Sequence, residues 1–360
     1  MSGKKTICFI SHELNNEKTT GIHRYTREIL KAMDQMVQDG EVELLIPCDE
    51  DDRYPFQHIR VVKVGRKQRF SGNFWSNVHS HLYKDWYCRR YVRKKNALCV
   101  DLLLLYPYFR CGVTAMHDCV AEWYEKEYPE TVNRKRVRRI KSAIRKASVL
   151  VTVSESAKEE IRQHYGSDTP IRVIPNAWQH TLQITEDDRV LERFGLRSGE
   201  FFFSLGTSVP HKNQKWIQCA ARDNPECTFV LTGLGSGEGR EDGKEDSGNL
   251  IFTGYLTDGE VRSLMKHCKA FIQPSLIEGF GIPPLEAMSA GASCMVSDLP
   301  VFREIFEDSV WYFDPKQYDG INLERIMDAQ KQSNEKILNK YSWEESARKL
   351  LDLLNELAAE

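Results

Sequence analysis

What this 360-residue sequence lacks narrows it first. None of its ten cysteines, at 8, 48, 88, 99, 111, 119, 219, 227, 268 and 294, forms a C-x-x-C pair, and no zinc-like Cys/His cluster is present. Most sit inside apolar runs such as Ile7-Cys8-Phe9, so they read as reduced core residues of a reducing compartment. The start, Met1-Ser2-Gly3-Lys4-Lys5, leads straight into a short strand rather than into a signal peptide. The most apolar run, Ala97 to Phe109, is too short for a spanning helix and contains Asp101. These absences favour a soluble, cytoplasmic protein with at most a peripheral contact to the inner face of a membrane.

What is present points to two domains. The length exceeds that of one typical domain, and 41% hydrophobic residues suffice for real cores. The net charge of −2 hides an asymmetry: residues 1–170 carry 30 Lys and Arg against 22 Asp and Glu, and residues 171–360 carry 20 against 30. A basic half and an acidic half suggest separate units with different partners. Apolar strands alternate with helical patterns through both halves, which predicts an α/β fold with parallel sheets covered on both faces.

In the first half, strands are expected at Thr6–Ile10, Val42–Pro47, Arg60–Val64, Ala97–Tyr106 and within Val113–Asp118. Further strands are expected at Ser148–Val153, before the N-cap Ser154, and at Ile171–Ile174. Gly21-Ile22-His23-Arg24-Tyr25 opens a helix after the first strand, a layout that suits a phosphate although it lacks G-x-G-x-x-G. Residues 84–95 interleave aromatics and cations within a stretch, Tyr83 to Lys95, that is expected to be helical. Residues 131–146 hold eight cations and no acid, with Val137, Ile140, Ala143 and Ile144 at helical spacing. That basic amphipathic helix reads as a solvated face, as a contact for an anionic membrane through 84–95 and 134–146, or, with least support, as a nucleic-acid surface.

The second half opens on the strand Phe201–Gly206, followed by His211-Lys212 before a helix. Strands at Cys227–Gly233 and Cys294–Asp298 and a strand with its turn over Leu250–Leu256 are also expected, and Leu234 to Gly248 reads as a mobile surface loop. Its central stretch is Pro274 to Gly291. A buried strand, Ala270-Phe271-Ile272, enters a loop holding Glu278-Gly279-Phe280-Gly281, and a helix containing Leu285-Glu286-Ala287-Met288 leaves it. Glycines let a backbone approach a ligand, a helix N-terminus offers amides to an anion, and two carboxylates eight residues apart accept sugar hydroxyls.

Glu278-Gly279-Phe280-Gly281 with Glu286 resembles the E-x7-E signature of retaining, nucleotide-sugar-dependent glycosyltransferases, in detail those of family 4. Gly21-Ile22-His23-Arg24-Tyr25 and the stretches around 113–118 and 148–176 resemble the same family. The resemblance spans roughly residues 5–355. It implies the GT-B fold, two Rossmann-like doubly wound parallel-sheet domains facing a cleft: an acceptor domain, 1–178, a nucleotide-sugar domain, 179–340, and a C-terminal helix, 341–360, returning to the first. It implies donor contacts from Gly21, Gly206, Lys212, Glu278, Gly279, Phe280, Gly281 and Glu286, with His117, Lys212 and Glu278 as the catalytic group. Lys212 would take the diphosphate, Glu278 the donor-sugar hydroxyls, Glu286 the ribose, and His117 the sugar and acceptor side. The family has Arg-Lys where this chain has His211-Lys212, so one fixed charge is missing. The implied partners are a nucleotide sugar and a glycan or lipid-linked glycan acceptor, with no nucleic acid, no cofactor and no metal. The alternative of another class is a non-catalytic membrane- or nucleic-acid-binding protein that uses the basic face.

Overall fold

The computed structural model describes residues 4–14, 20–67, 73–131, 133–166, 168–206, 209–233 and 248–359. The loop expected at 234–248 therefore lies almost wholly outside the described residues. The chain divides into two compact units, Met1–Asn176 with Trp343–Glu360, and Ala177–Ser342.

The first unit holds β1 (Ile7–Ile10), β2 (Val42–Pro47), β3 (Arg60–Val64), β4 (Leu98–Asp101), β5 (Val113–Ala115), β6 (Val149–Thr152) and β7 (Ile171–Val173). They form one parallel sheet in the order β3-β2-β1-β4-β5-β6-β7. The second unit holds β8 (Phe201–Leu205), β9 (Thr228–Thr232), β10 (Leu250–Phe252), β11 (Ala270–Gln273), β12 (Cys294–Ser297) and β13 (Trp311–Phe313). These pair in parallel in the order β10-β9-β8-β11-β12-β13. Each sheet starts at a central strand, winds outward, and returns to wind the other way. That leaves one switch point per sheet, between β1 and β4 and between β8 and β11. Ligands of open parallel sheets bind at the carboxyl ends of such a pair. The inner strands are buried along their whole length, as helices on both faces require. In the second unit Trp216 stacks on Phe313 at 3.9 Å inside a core that includes Phe202, Phe229 and Ile272.

Two expectations change and one strand is new. The strand expected over Ala97–Tyr106 ends at Asp101, whose buried carboxylate accepts the amides of Leu103, Leu105 and Tyr106 at 3.2, 3.1 and 2.7 Å. The chain turns there, with Leu104 and Tyr106 at φ +55° and +46°. The strand β13, in the aromatic run Trp311-Tyr312-Phe313, was not anticipated. The aromatic-basic helix begins as a π turn, Tyr83–Tyr87, and becomes α-helical only over Cys88–Lys95.

The basic helix spans Arg134–Lys146 and is capped by Asn133, which accepts the amides of Lys135 and Arg136. Its apolar stripe, Val137, Ile140, Ala143 and Ile144, lies in the core. All ten cysteines are free and eight are buried; burial pushes the Cys88 and Cys268 thiols up to about 12, which suits packing rather than reactivity.

The C-terminal helix, Trp343–Ala359, belongs to the first unit. Trp343 meets the ring of Tyr25 edge-on, Ser346 donates to the carbonyl of Pro175 at 2.9 Å, and the amide of Lys5 donates to Ala358 at 3.0 Å. Leu350 and Leu354 of this helix are fully buried. Leu350→Ala is therefore expected to cost the first unit about 2–5 kcal/mol, read as a lower urea midpoint for that unit. An unchanged midpoint would show that the helix is not part of its core.

Candidate active site

Lys212 and Glu278 follow β8 and β11, the two strands of the second unit's switch point. The turn that carries Lys212 is docked onto the loop that carries Glu278. Asn213, left-handed at φ +54°, donates to the carbonyls of Pro274 and Pro315 at 2.9 and 2.8 Å and accepts from Tyr318 at 3.0 Å. The amide of Leu276 donates to the carbonyl of His211 at 2.8 Å.

Those clamps bring Lys212 Nζ to Glu278 Oε1 at 2.6 Å. The same oxygen accepts from Ser275 Oγ at 2.7 Å and Gln273 Nε2 at 3.0 Å. Among the described residues none of these donors reaches Oε2. One carboxylate oxygen is thus locked and the other is left for a ligand. Burial works against the charge of Glu278, but the Lys212 ammonium and the bonds from Lys212 and Ser275 outweigh it and hold the carboxyl below its ordinary range. His211 moves the other way. Burial, helped by the Lys212 charge, lowers it to about 4, so the imidazole is neutral at pH 7 and supplies no second fixed cation.

Gly281 sits at φ +101° as the N-cap of the helix Ile282–Ser289. A Cβ there would lie 2.7 Å from the ring of Phe302, so glycine is required on two counts. The helix begins three residues before Leu285, but Pro283 and Pro284 in its first turn carry no N–H. The amides near Gly281 and Ile282 and the helix dipole are what it can offer an anion, less than an ordinary helix start. Phe280 is buried and edge-on to Tyr341 at 5.2 Å, so only its backbone can face a ligand. Gly279 is buried in the same loop.

Glu286, one turn on, is buried and bonds His180 Nε2 at 2.8 Å. Thr181 and Ser289 exchange a hydroxyl bond at 3.0 Å beside it. His180 was not anticipated; no local pattern marks it, because it enters from a short 3₁₀ turn, Gln179–Gln183, 106 residues away in sequence.

Gly206 ends β8, where a Cβ would fall 2.4 Å from the carbonyl of Thr232. A Cβ on Gly233, at φ +88°, would fall 2.2 Å from the carbonyl of Gly206. The amide of Gly206 donates to Thr232 at 2.7 Å, and that of Gly233 donates to Gly254 at 2.9 Å. Gly206 thus has a demonstrable packing role at the carboxyl ends of β8 and β9. Thr207 and Ser208 lie outside the described residues.

In the first unit Gly21 is the exposed first residue of the helix Gly21–Asp34. Tyr25, in the same motif, is buried and donates to the carbonyl of Ile174 at 3.2 Å, a structural role. His117, just past β5, is 7% exposed and lies edge-on to Tyr25 at 4.7 Å. Burial lowers it to about 4 against a partly opposing bond to the Leu102 backbone, and its Nε2 has no partner. A buried imidazole nitrogen without a partner is a costly vacancy unless a ligand fills it.

Among the described residues no group of three or more His, Cys, Asp or Glu could hold a metal ion. The sequence does contain one Asp-x-Asp, Asp49-Glu50-Asp51. In it Asp51 is occupied by Arg53 and Glu50 by Tyr54 and the amide of Glu13.

The family described as Glycosyltransferase Family 4 matches residues 19–178, and that described as Glycosyl transferases group 1 matches residues 191–348. The chain is 24% identical over 335 residues to the O-antigen chain mannosyltransferase RfbU of Salmonella typhimurium, covering 86% of this chain and 89% of the relative. It is 24% identical over 370 residues to the O-antigen chain mannosyltransferase B of Escherichia coli, covering 90% and 93%. The solved sucrose-phosphate synthase of Thermosynechococcus elongatus shares the fold at a TM-score of 0.75 and 16% identity, over 99% of this chain and 100% of the other. The two Rossmann-like units are those of the GT-B fold.

Two measurements test the local readings. Between pH 6.5 and 4 the unfolded His117 binds the proton that the folded one refuses, so stability falls as pH drops through that window. The loss between pH 7 and 5 is about 2 kcal/mol for this group, and the steepness should be reduced in His117→Gln. Gly281→Ala should cost about 1–3 kcal/mol and weaken donor binding, because both the φ angle and Phe302 oppose it. A variant with the wild-type melting point would contradict that account.

Proposed function

We propose that this chain, which belongs to glycosyltransferase family 4, moves a hexose from a nucleotide diphosphate sugar to a growing polysaccharide, with retention of anomeric configuration and without a metal ion. The observation that carries the proposal is the Glu278 carboxylate, ionised in a buried loop by Lys212, with one oxygen locked and the other available. The relatives named as O-antigen mannosyltransferases favour mannose as the hexose and a glycan chain as the acceptor.

In this reading Glu278 Oε2 accepts hydroxyls of the donor sugar. Glu286, fixed by His180, accepts the ribose hydroxyls. Lys212 and the amides near Gly281 and Ile282 take the charge that develops on the departing diphosphate. The bond from the anomeric carbon to the phosphate oxygen breaks while a bond to the acceptor oxygen forms on the same face. The proton of the acceptor hydroxyl passes to the leaving phosphate. His117, neutral and with Nε2 bare, accepts a hydroxyl on the sugar and acceptor side. Gly21, the first residue of the helix Gly21–Asp34, is read as a further donor contact on the family resemblance of its motif alone. In this reading Lys212 and the amides near Gly281 and Ile282 meet the diphosphate in place of a metal ion. The protein is read as cytoplasmic, and its acceptor as lipid-linked and met at the inner face of a membrane. Among the described residues no helix is long and apolar enough to cross one.

A panel of UDP-, GDP-, ADP- and dTDP-sugars, with and without EDTA, tests the proposal. One nucleotide should raise the melting temperature equally in both conditions. The product anomer, read by NMR, should match the donor's. Glu278→Gln and Lys212→Ala should still fold, at a melting temperature lowered by loss of the buried ion pair, bind donor nucleotide more weakly and lose at least about a hundredfold in turnover. Turnover near wild type in both variants would overturn the site, and dependence on a divalent ion would overturn the metal-free mechanism.

A further inference from the structure

The basic helix Arg134–Lys146 cannot insert an apolar face into a lipid surface, because that face is already packed in the core. Only its cations reach solvent. Exposed apolar surface lies elsewhere in the first unit and is gathered in one place. Among the described residues its exposed large hydrophobic side chains are Leu82, Trp86 and Tyr108, at 46, 54 and 52% exposure.

Asp85 joins the three. It stands between Leu82 and Trp86 on one helical stretch. Its Oδ1 accepts the amide of Tyr108 at 2.7 Å, and its Oδ2 pairs with the buried Arg139 of the basic helix. The guanidinium of Arg139 lies 4.2 Å from the Tyr108 ring centroid and also bonds His81 at 2.8 Å. Lys146 donates to the Tyr108 carbonyl at 2.7 Å. The polar network is spent holding the ledge in place, and the apolar side chains are left facing outward.

The exposed charges on the two helices that hold this ledge have one sign. Arg89, Arg90 and Arg93 are exposed on the adjoining helix, and Arg138, Lys141 and Arg145 on the basic one. Between residues 84 and 117 the acids are Asp85, which is paired, and Asp101, which is buried. Trp, Tyr and Leu side chains exposed beside helices that carry exposed arginine and lysine match the boundary between headgroups and acyl chains. Each cation near an anionic leaflet adds to binding.

We propose that the Leu82–Trp86–Tyr108 ledge seats on an anionic bilayer, with its aromatic and leucine side chains at the acyl boundary and the exposed arginines and lysines on lipid headgroups. This deepens the lipid-linked acceptor reading and rests on it for its purpose: the enzyme works where its acceptor is held.

The test is co-sedimentation of the full chain with phosphatidylcholine vesicles, with and without phosphatidylglycerol. The variants are Leu82→Ser with Trp86→Ser, and separately Arg138→Gln with Arg145→Gln. The wild type should bind vesicles that contain phosphatidylglycerol and ignore neutral ones. The Leu82/Trp86 variant should lose at least about tenfold in partitioning, while its melting point and its stabilisation by donor nucleotide stay as in the wild type. The arginine variant should show weaker binding that salt weakens further. Wild type that ignores anionic vesicles would overturn the proposal, as would a Leu82/Trp86 variant that binds them as well as wild type does. A solution dimer that this variant dissolves, with no vesicle binding, would reassign the ledge to a second copy of the chain. Vesicle binding in a protein that ignores every nucleotide sugar would uphold the surface and overturn the transferase reading instead.

Discussion

A carboxylate as buried as Glu278 keeps its charge only because Lys212 sits 2.6 Å from it. Burial alone would push it toward the neutral acid, which could donate one proton but would lose its strength as an acceptor. The ion pair depends in turn on the Asn213 and Leu276 bonds that dock one loop on the other. It also depends on Ser275 and Gln273, which share Oε1 with the lysine. Three donors on one oxygen fix the rotation of the carboxylate as well as its charge. A polar ligand arriving at Oε2 therefore meets an acceptor whose orientation has already been set, and little entropy remains to be lost there.

The parallel sheet supplies the same economy on a larger scale. When every strand runs one way, every loop that follows a strand gathers along one edge. Residues as distant in sequence as Lys212 and Glu278 then become neighbours without a special fold. The edge must still be open enough to be used. At β8 and β9 this is achieved by removing side chains: Gly206 and Gly233 let two strand ends approach to distances that a Cβ would forbid. At β11 the same solution appears at Gly281, where Phe302 fills the space a side chain would need.

Much of this could be read from the residues. The alternation of apolar runs and helical patterns gave the two parallel sheets, because buried parallel strands are nearly uniform in apolarity and their edges fall at Gly, Pro and Asn. The placement of Glu278 and Glu286 on one strand–loop–helix unit could be read because such a unit is a local feature. What escaped was set by contacts distant in sequence. Nothing near Asp101 announces that its carboxylate will take three amides and end a strand early. Nothing near His180 announces Glu286. The apolar stripe of the basic helix reads equally well as a core face and as a membrane face. Only its neighbours decide, and they bury it. The short strand β13 was passed over because three aromatic residues in a row show no periodicity of either kind.

The electrostatics of the second unit's loop edge then follow from two substitutions of residue type. Where an arginine would keep its charge in any surroundings, His211 gives its proton up: burial and the adjacent Lys212 both oppose it, and the partial attraction of Glu278 does not restore it. Where an ordinary helix would present several amides, Pro283 and Pro284 present none. Without a ligand, the cation of Lys212 is therefore almost balanced by Glu278, and the edge carries little net charge. The empty site thus carries no uncompensated buried cation. An arginine in place of His211 would hold that charge permanently and pay its desolvation in both states.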